Sequence, residues 1–271
     1  MNFIYKTKFL FFLLQKYWLV KYLFKIFLIN GDYYFELTKS QNNNEENLFI
    51  TNISKYITSK NFIEIGYHYR EMNFIGLIKE NFFGKLVDAD TSHGFNSFMM
   101  SKIIKKTNRN VSVIKKFIDL DNIDQIFDMK KLGCLSIDID GNEYWILENI
   151  LSKNIIPELI ITEYNASFLN HEVSVPYDKN FDVKKKHHSL WYHGASLSAF
   201  EKLLSRFNYG LVKVIGGTNA IFIQNEQIQK SNLKKFKSFE LYQECWSRNK
   251  KGDNTAKEQF DAIKHLPLVK V

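Results

Sequence analysis

Acidic side chains recur in this sequence where an apolar run gives way to a turn. LSIDIDGNEYWILENI (135–150) passes from alternating apolar residues into Asp138 and Asp140, then a glycine, then a helical pattern. NFIEIG (61–66) supplies Glu64 and Gly66, GKLVDAD (84–90) supplies Asp88 and Asp90, Asp119 follows VSVIKKF (111–117), and ELIITEYN (158–165) ends in Glu163 and Asn165. Each has an ordinary reading: Asp and Asn are favoured helix N-caps, a role that suits Asn142 and Asp121. Gathered on one rim, however, carboxylates repel one another unless a cation, hydrogen-bond donors or water relieve them.

The second chemical group lies in SFLNHEVSVPYDKNFDVKKKHHSLWYHG, a connection too long to be a simple link. His171, His187, His188 and His193 are candidate general bases, since neutral imidazole can take a proton from a hydroxyl. His193, beside Gly194 at the mouth of a helix, is the first choice, followed by His188. Tyr177, Trp191 and Tyr192 offer faces for a sugar ring or another planar group. Lys184–Lys186 form either a solvated charge run or a phosphate contact.

These residues need a frame. Strand patterns at 61–66, 84–90, 111–117, 134–140 and 158–165 alternate with helical ones at 70–82, 94–106, 121–131, 142–153 and 196–208, the last with Ser196 as N-cap. This alternation predicts an α/β, Rossmann-like, mostly parallel sheet with helices on both faces. Runs 209–217 and 219–224 meet at a Gly-Gly-Thr turn and must pair antiparallel, closing the sheet with a C-terminal hairpin. Ligands in such sheets sit at the carboxyl ends of the strands, which is where the acids are. The expected organisation is an N-terminal basic aromatic helical extension with a polar linker (1–48), the Rossmann-like domain (49–225) and a helical tail (226–271).

The 271 residues carry a net charge of +8, are 45% hydrophobic and include 15% aromatics, with Lys spread along the chain. No RNA-binding signature or zinc-finger spacing is present, so no nucleic acid partner is expected. Nucleophile-elbow and phosphate-loop motifs are also missing, which argues against a hydrolase or a nucleoside triphosphatase. Two distant cysteines, Cys134 and Cys245, fit a reduced, cytoplasmic protein. Residues 1–30 have apolar runs broken by Lys8, Lys16, Lys21 and Lys25, too short for a membrane span. They suit a helix packed on the domain or on a second copy in a homo-oligomer, or one lying at the inner membrane surface against anionic lipid.

An acid ending the second strand can accept both hydrogens of a ribose diol, and one after the third strand can accept from an adenine amine. Such a rim fits S-adenosylmethionine, and also NAD; the 2′-phosphate of NADP would want Arg. In the order of its elements and in FIEIG, LVDAD, SIDIDGNEYW, EYNASF, VPYD and YHGASLSAFEKLL, the region 61–224 resembles class I S-adenosylmethionine-dependent methyltransferases. It is similar to a poorly characterised bacterial branch distantly akin to the FkbM-type enzymes, which O-methylate sugars and other small metabolites. The resemblance implies methyl transfer to an oxygen of a small molecule or glycan, such as a surface polysaccharide. It places Glu64 and Gly66 at the start of the cofactor loop, Asp88 on the ribose with Asp90 as substitute, and Asp138 near the methyl donor; Asp119 would meet the adenine.

The sequence departs from that pattern in the first loop. The family loop is glycine-rich because backbone passes close under the cofactor; here it reads EIGYHYREMN, with only Gly66 kept. A non-catalytic, methyltransferase-like binding or scaffold protein is therefore the alternative, and a nicotinamide-dependent enzyme is a further one. The resemblance also extends to metal-dependent O-methyltransferases. On that pattern Asp138, Asp140, Glu163 and Asn165 would hold Mg²⁺ or Mn²⁺ through hard oxygen ligands and lower the pKa of an acceptor hydroxyl.

Overall fold

A computed structural model describes residues 45–68, 72–89, 95–107, 110–128, 131–245 and 255–271. The helix expected over 1–30, whether packed on the domain, on a second copy or at a membrane surface, and the candidate Asp90 lie outside the described residues.

The strands are β1 (Asn61–Ile65), β2 (Phe83–Asp88), β3 (Val111–Lys115), β4 (Cys134–Ile137), β5 (Leu159–Glu163), β6 (Val173–Ser174), β7 (Tyr209–Ile215), β8 (Asn219–Gln224) and β9 (Val269–Lys270). The helices are α1 (Glu45–Ile53), α2 (Ile75–Lys79), α3 (Phe95–Thr107), α4 (Glu143–Ser152), α5 (Val183–Lys186), α6 (Leu197–Ser205), α7 (Asn225–Ser231), α8 (Ser238–Leu241) and α9 (Ala256–Ile263). Seven strands form one sheet in the order β3-β2-β1-β4-β5-β8-β7. The pairs β1–β2, β1–β4, β2–β3 and β4–β5 are parallel, and β8 runs antiparallel to both β5 and β7. The expected α/β architecture is thus present: a mostly parallel sheet with an antiparallel C-terminal hairpin whose last strand is inserted beside β5.

Period-two alternation along the buried strands divides the core into two layers. Ile63, Ile65, Leu135, Ile137, Ile160 and Phe222 face a layer covered by α4 and α6. Phe62, Cys134, Leu159, Ile161, Ile221 and Ile223 face one covered by α1, α2, α3 and α7. Ser196 caps α6 as expected, its Oγ accepting from the Ala199 N–H at 3.1 Å.

Several segments differ from their sequence expectation, each for a local reason. Residues 45–48, read as linker, open α1, where the Asn47 side chain donates to Met72 O (3.0 Å) and accepts from Gly76 N (3.2 Å). The helix over 70–82 is reduced to Ile75–Lys79, since Glu64 takes the Asn73 and Phe74 N–H groups and Asn81 turns the chain at φ 60°. The helix over 121–131 is only a 3₁₀ turn, Ile123–Ile126. The 166–193 connection carries its own structure. A short β6 pairs antiparallel with β9, and Phe168, Val175 and Tyr192 pack with Ile263 of α9 into a third small core. The tail expected to be helical therefore ends in a strand.

Candidate active site

The chain runs β1, β2, β3 outward on one side and returns to β4 on the other side of β1, so the sheet reverses its order between β1 and β4. At this switch point the strand ends are bonded together. Gly66 N donates to Val87 O at 2.8 Å and Asp138 N donates to Ile65 O at 2.9 Å. Gly66 has φ +83°, and a Cβ there would stand 1.5 Å from Asp138 O. The residue retained from the expected loop is thus the one at which only glycine fits.

Asp88 ends β2 half-buried, with Asn96 Nδ2 at 3.4 Å from its Oδ1; the same amide donates to Tyr67 O at 2.7 Å. Asn96, not foreseen from the sequence, links the first loop to the end of β2. Glu64 is buried and bonded to the backbone of residues 73 and 74. Its two carboxylate oxygens accept from Asn73 N (2.9 Å) and Phe74 N (3.1 Å), and burial pushes its pKa up to about 8 against these bonds. Around it Asn73 Nδ2 donates to Ser136 Oγ (2.8 Å), and Asn219 Nδ2 donates to both oxygens of Glu46 (3.2 and 3.1 Å). Glu46 is raised to about 7, first by burial. Asp119 also serves structure. Its Oδ1 accepts from Asp121 N and Asn122 N (both 3.0 Å), which closes the turn that replaces a helix, and its Oδ2 lies 3.5 Å from Lys179.

Asp138 and Asp140 do not cap α4. The tight turn between them and the helix is held by Glu143, fully buried, whose Oε1 accepts from Ile139 N and Gly141 N (both 2.9 Å). Burial raises Glu143 to about 7 against these backbone bonds, with a further upward push from Asp140. Asn142, at the N-cap position, uses its side chain elsewhere, donating to Asp178 O (2.8 Å) and so fastening the long connection. The one sequence signal for Glu143 was an acid in the first turn of a helix. Asp140 takes the left-handed conformation at φ 56°. Asp138 is hydrogen-bonded to Glu163, and its pKa stands well above the usual carboxylate range through burial, then through Asp140 and Glu143.

The structure brings together Asp140, Glu163 and His193, whose nitrogen and oxygen atoms all lie within 4.8 Å of one another. His193 is 4% exposed. Its backbone is set by Asn165, whose Nδ2 donates to His193 O (2.8 Å) and Trp191 O (2.6 Å) while its Oδ1 accepts from Ser167 N (3.0 Å). Asn165, read as a metal ligand, uses its side chain to brace this segment, and it is His193 that joins Asp140 and Glu163. His188 is exposed with its ring 4.3 Å from that of His187, and His171 stacks on Phe260 of α9 at 4.4 Å. Tyr192 is no stacking platform: it is buried, and its hydroxyl donates to Pro267 O. Tyr177 accepts from Leu120 N (3.2 Å). Lys185 and Lys186 pair with Asp182 and Asp178.

No family model matches this chain, and no curated protein matches it. Solved structures do. A Klebsiella pneumoniae protein assigned as an O-methyltransferase is 13% identical over 78% of this chain and 99% of its own, with a TM-score of 0.44. A Bacillus cereus O-methyltransferase in complex with SAH is 16% identical over 71% of this chain and 90% of its own, TM-score 0.41. The N-methyltransferase NodS from Bradyrhizobium japonicum WM9 is 10% identical over 68% and 98%, TM-score 0.35.

Proposed function

We propose that the protein transfers a methyl group from S-adenosylmethionine to an oxygen of a small molecule or a sugar, including those of surface polysaccharide. The observation that carries this reading is the gathering of Asp138, Asp140, Glu163 and His193 at the carboxyl ends of β4 and β5, beside the Gly66 turn of β1 and Asp88 of β2. These groups are acids and hydrogen-bond acceptors, a set that suits a cationic sulfonium carrying a ribose diol and disfavours a 2′-phosphate. S-adenosylmethionine, when bound, supplies a methyl group on a positively charged sulfur.

The residues of this chain do the rest. Asp88 would accept from the ribose hydroxyls. Gly66 gives the first loop its turn, and Glu64 holds the far end of that loop through Asn73 and Phe74. Asp138 would orient the methyl donor. The acceptor hydroxyl would lie against the Asp140–Glu163–His193 cluster, which would favour loss of its proton, and alignment of donor and acceptor supplies much of the rate.

One observation favours a second reading. Tyr67, 2% exposed, fills the position after Gly66, where small residues would be expected. A large buried side chain at that position suits a binding protein that takes no cofactor at the Gly66 turn. Calorimetric titration with S-adenosylhomocysteine decides between them. Micromolar binding that weakens at least tenfold in Asp88→Ala supports methyl transfer. No binding by the folded protein, with or without Mn²⁺, selects the non-catalytic reading.

A further inference from the structure

We infer that Asp140, Glu163 and His193 bind one divalent transition-metal ion, of the Mn²⁺, Fe²⁺ or Zn²⁺ class. Three separate elements supply the ligands: the turn after β4, the last residue of β5, and the segment that leads into α6. Atoms no more than 4.8 Å apart leave a central point no more than about 2.8 Å from each, against ~2.0–2.2 Å for a bound ion. Movements of at most ~0.6–0.8 Å per ligand complete the site.

The backbone that carries these ligands is already tied together. Gly194 N donates to Gly141 O (3.1 Å), next to Asp140, and Asn165 N donates to Ala195 O (2.8 Å), two residues beyond Glu163. With the Asn165 amide on His193 O (2.8 Å), the segment bearing the imidazole is bonded to both segments bearing the carboxylates. Metal sites need this kind of support behind the ligands. Asp138 adds to it through its hydrogen bond to Glu163. Asp140 is exposed, so part of the coordination sphere opens to solvent, as in catalytic and not structural sites.

The imidazole sets the chemistry. The all-oxygen set expected from the sequence would suit Mg²⁺; replacing Asn165 by His193 shifts preference toward first-row transition ions. The use of the ion rests on the proposed methyl transfer: it would bind the acceptor oxygen and favour its deprotonated form. The existence of the site does not depend on that use.

The test is calorimetric titration of the chelator-treated full chain with Mn²⁺, Zn²⁺, Mg²⁺ and Ca²⁺, with S-adenosylhomocysteine binding measured separately and folding checked by thermal melting. The expected result is one equivalent of Mn²⁺ or Zn²⁺ bound more tightly than Mg²⁺ or Ca²⁺. Asp140→Asn and Glu163→Gln each weaken it at least tenfold and leave the melt intact. His193→Asn brings Mn²⁺ affinity down to the Mg²⁺ level; where this buried change unfolds the protein, the exposed Asp140→Asn carries the test. A folded protein that binds neither transition ion, or binds equally well in Asp140→Asn and Glu163→Gln, overturns the inference. If S-adenosylhomocysteine still binds in that case, methyl transfer stands and the cluster acts as a metal-free proton acceptor. If the ion binds and S-adenosylhomocysteine does not, the metal site stands and the methyl-transfer reading falls.

Discussion

At Gly66 two restrictions coincide: a φ of +83° and the Asp138 carbonyl oxygen 1.5 Å from where a Cβ would be. Gly66→Ala must push the ends of β1 and β4 apart. The expected cost is ~2–4 kcal/mol in urea unfolding, together with at least tenfold weaker S-adenosylhomocysteine binding in whatever fraction remains folded. The buried acids make a different prediction. Glu46, Glu64 and Glu143 have folded pKa values of about 7, 8 and 7 against an ordinary 4.5. Between those limits the folded chain holds more protons than the unfolded one, so stability is full below about pH 4.5 and falls as pH rises through 7 to 8. The urea midpoint should be higher at pH 5.5 than at pH 8.5. Glu46→Gln keeps an acceptor for Asn219 and removes one of these protons; it should narrow that difference and stabilise the protein at pH 8.5 by about 1–3 kcal/mol. An unchanged pH profile in Glu46→Gln would mean that Glu46 is ionised in the fold.

Among the elements, the connection from 166 to 195 matters most for the site, because it delivers His193. Asn165→Ala removes the donor to His193 O and Trp191 O and the acceptor for Ser167 N. Buried bonds of this kind are worth about 1 kcal/mol each, and their orphaned partners cost more. Hydrogen exchange should speed up at 187–195 while β1, β4 and β5 stay protected; a uniform increase across the sheet would argue against a local role. How far the sequence could be read follows from the same contrast. The strands were legible because Ile63, Ile65, Leu135 and Ile137 repeat the apolar pattern of a buried sheet. The 166–193 segment was not, because its partners are distant: Ser167 Oγ bonds to Gln259 and Tyr192 to Pro267. Site acids were legible as a set but not singly. Asp119 and Asp140 are the same residue type at equivalent strand ends, and only the local backbone makes one a turn-former and leaves the other in a cluster. Glu143, which shapes the Asp138–Gly141 turn, looked like an ordinary first-turn acid.

Across the whole molecule, residues 255–271 return to cover the segment that holds the site. Ile263, fully buried, packs with Phe168, Val175 and Tyr192. Ile263→Ala should cost ~2–5 kcal/mol of local stability through the cavity it leaves. The loss should appear as faster exchange at 166–193, with the seven-stranded sheet still cooperative; coincident melting of both regions would show that they are one unit.

The placement of β8 between β5 and β7 also orders events in time. Until residues 219–224 are available, β5 presents an open edge, the kind of surface that recruits foreign strands. The Glu46 carboxylate likewise waits for Asn219, 173 residues further on. A chain emerging from the ribosome therefore carries the unpartnered Glu46 through most of its synthesis, and the open β5 edge from the completion of β5 until β8 follows. Refolding limited by this long-range closure should be slow, and aggregation should compete with it at high concentration.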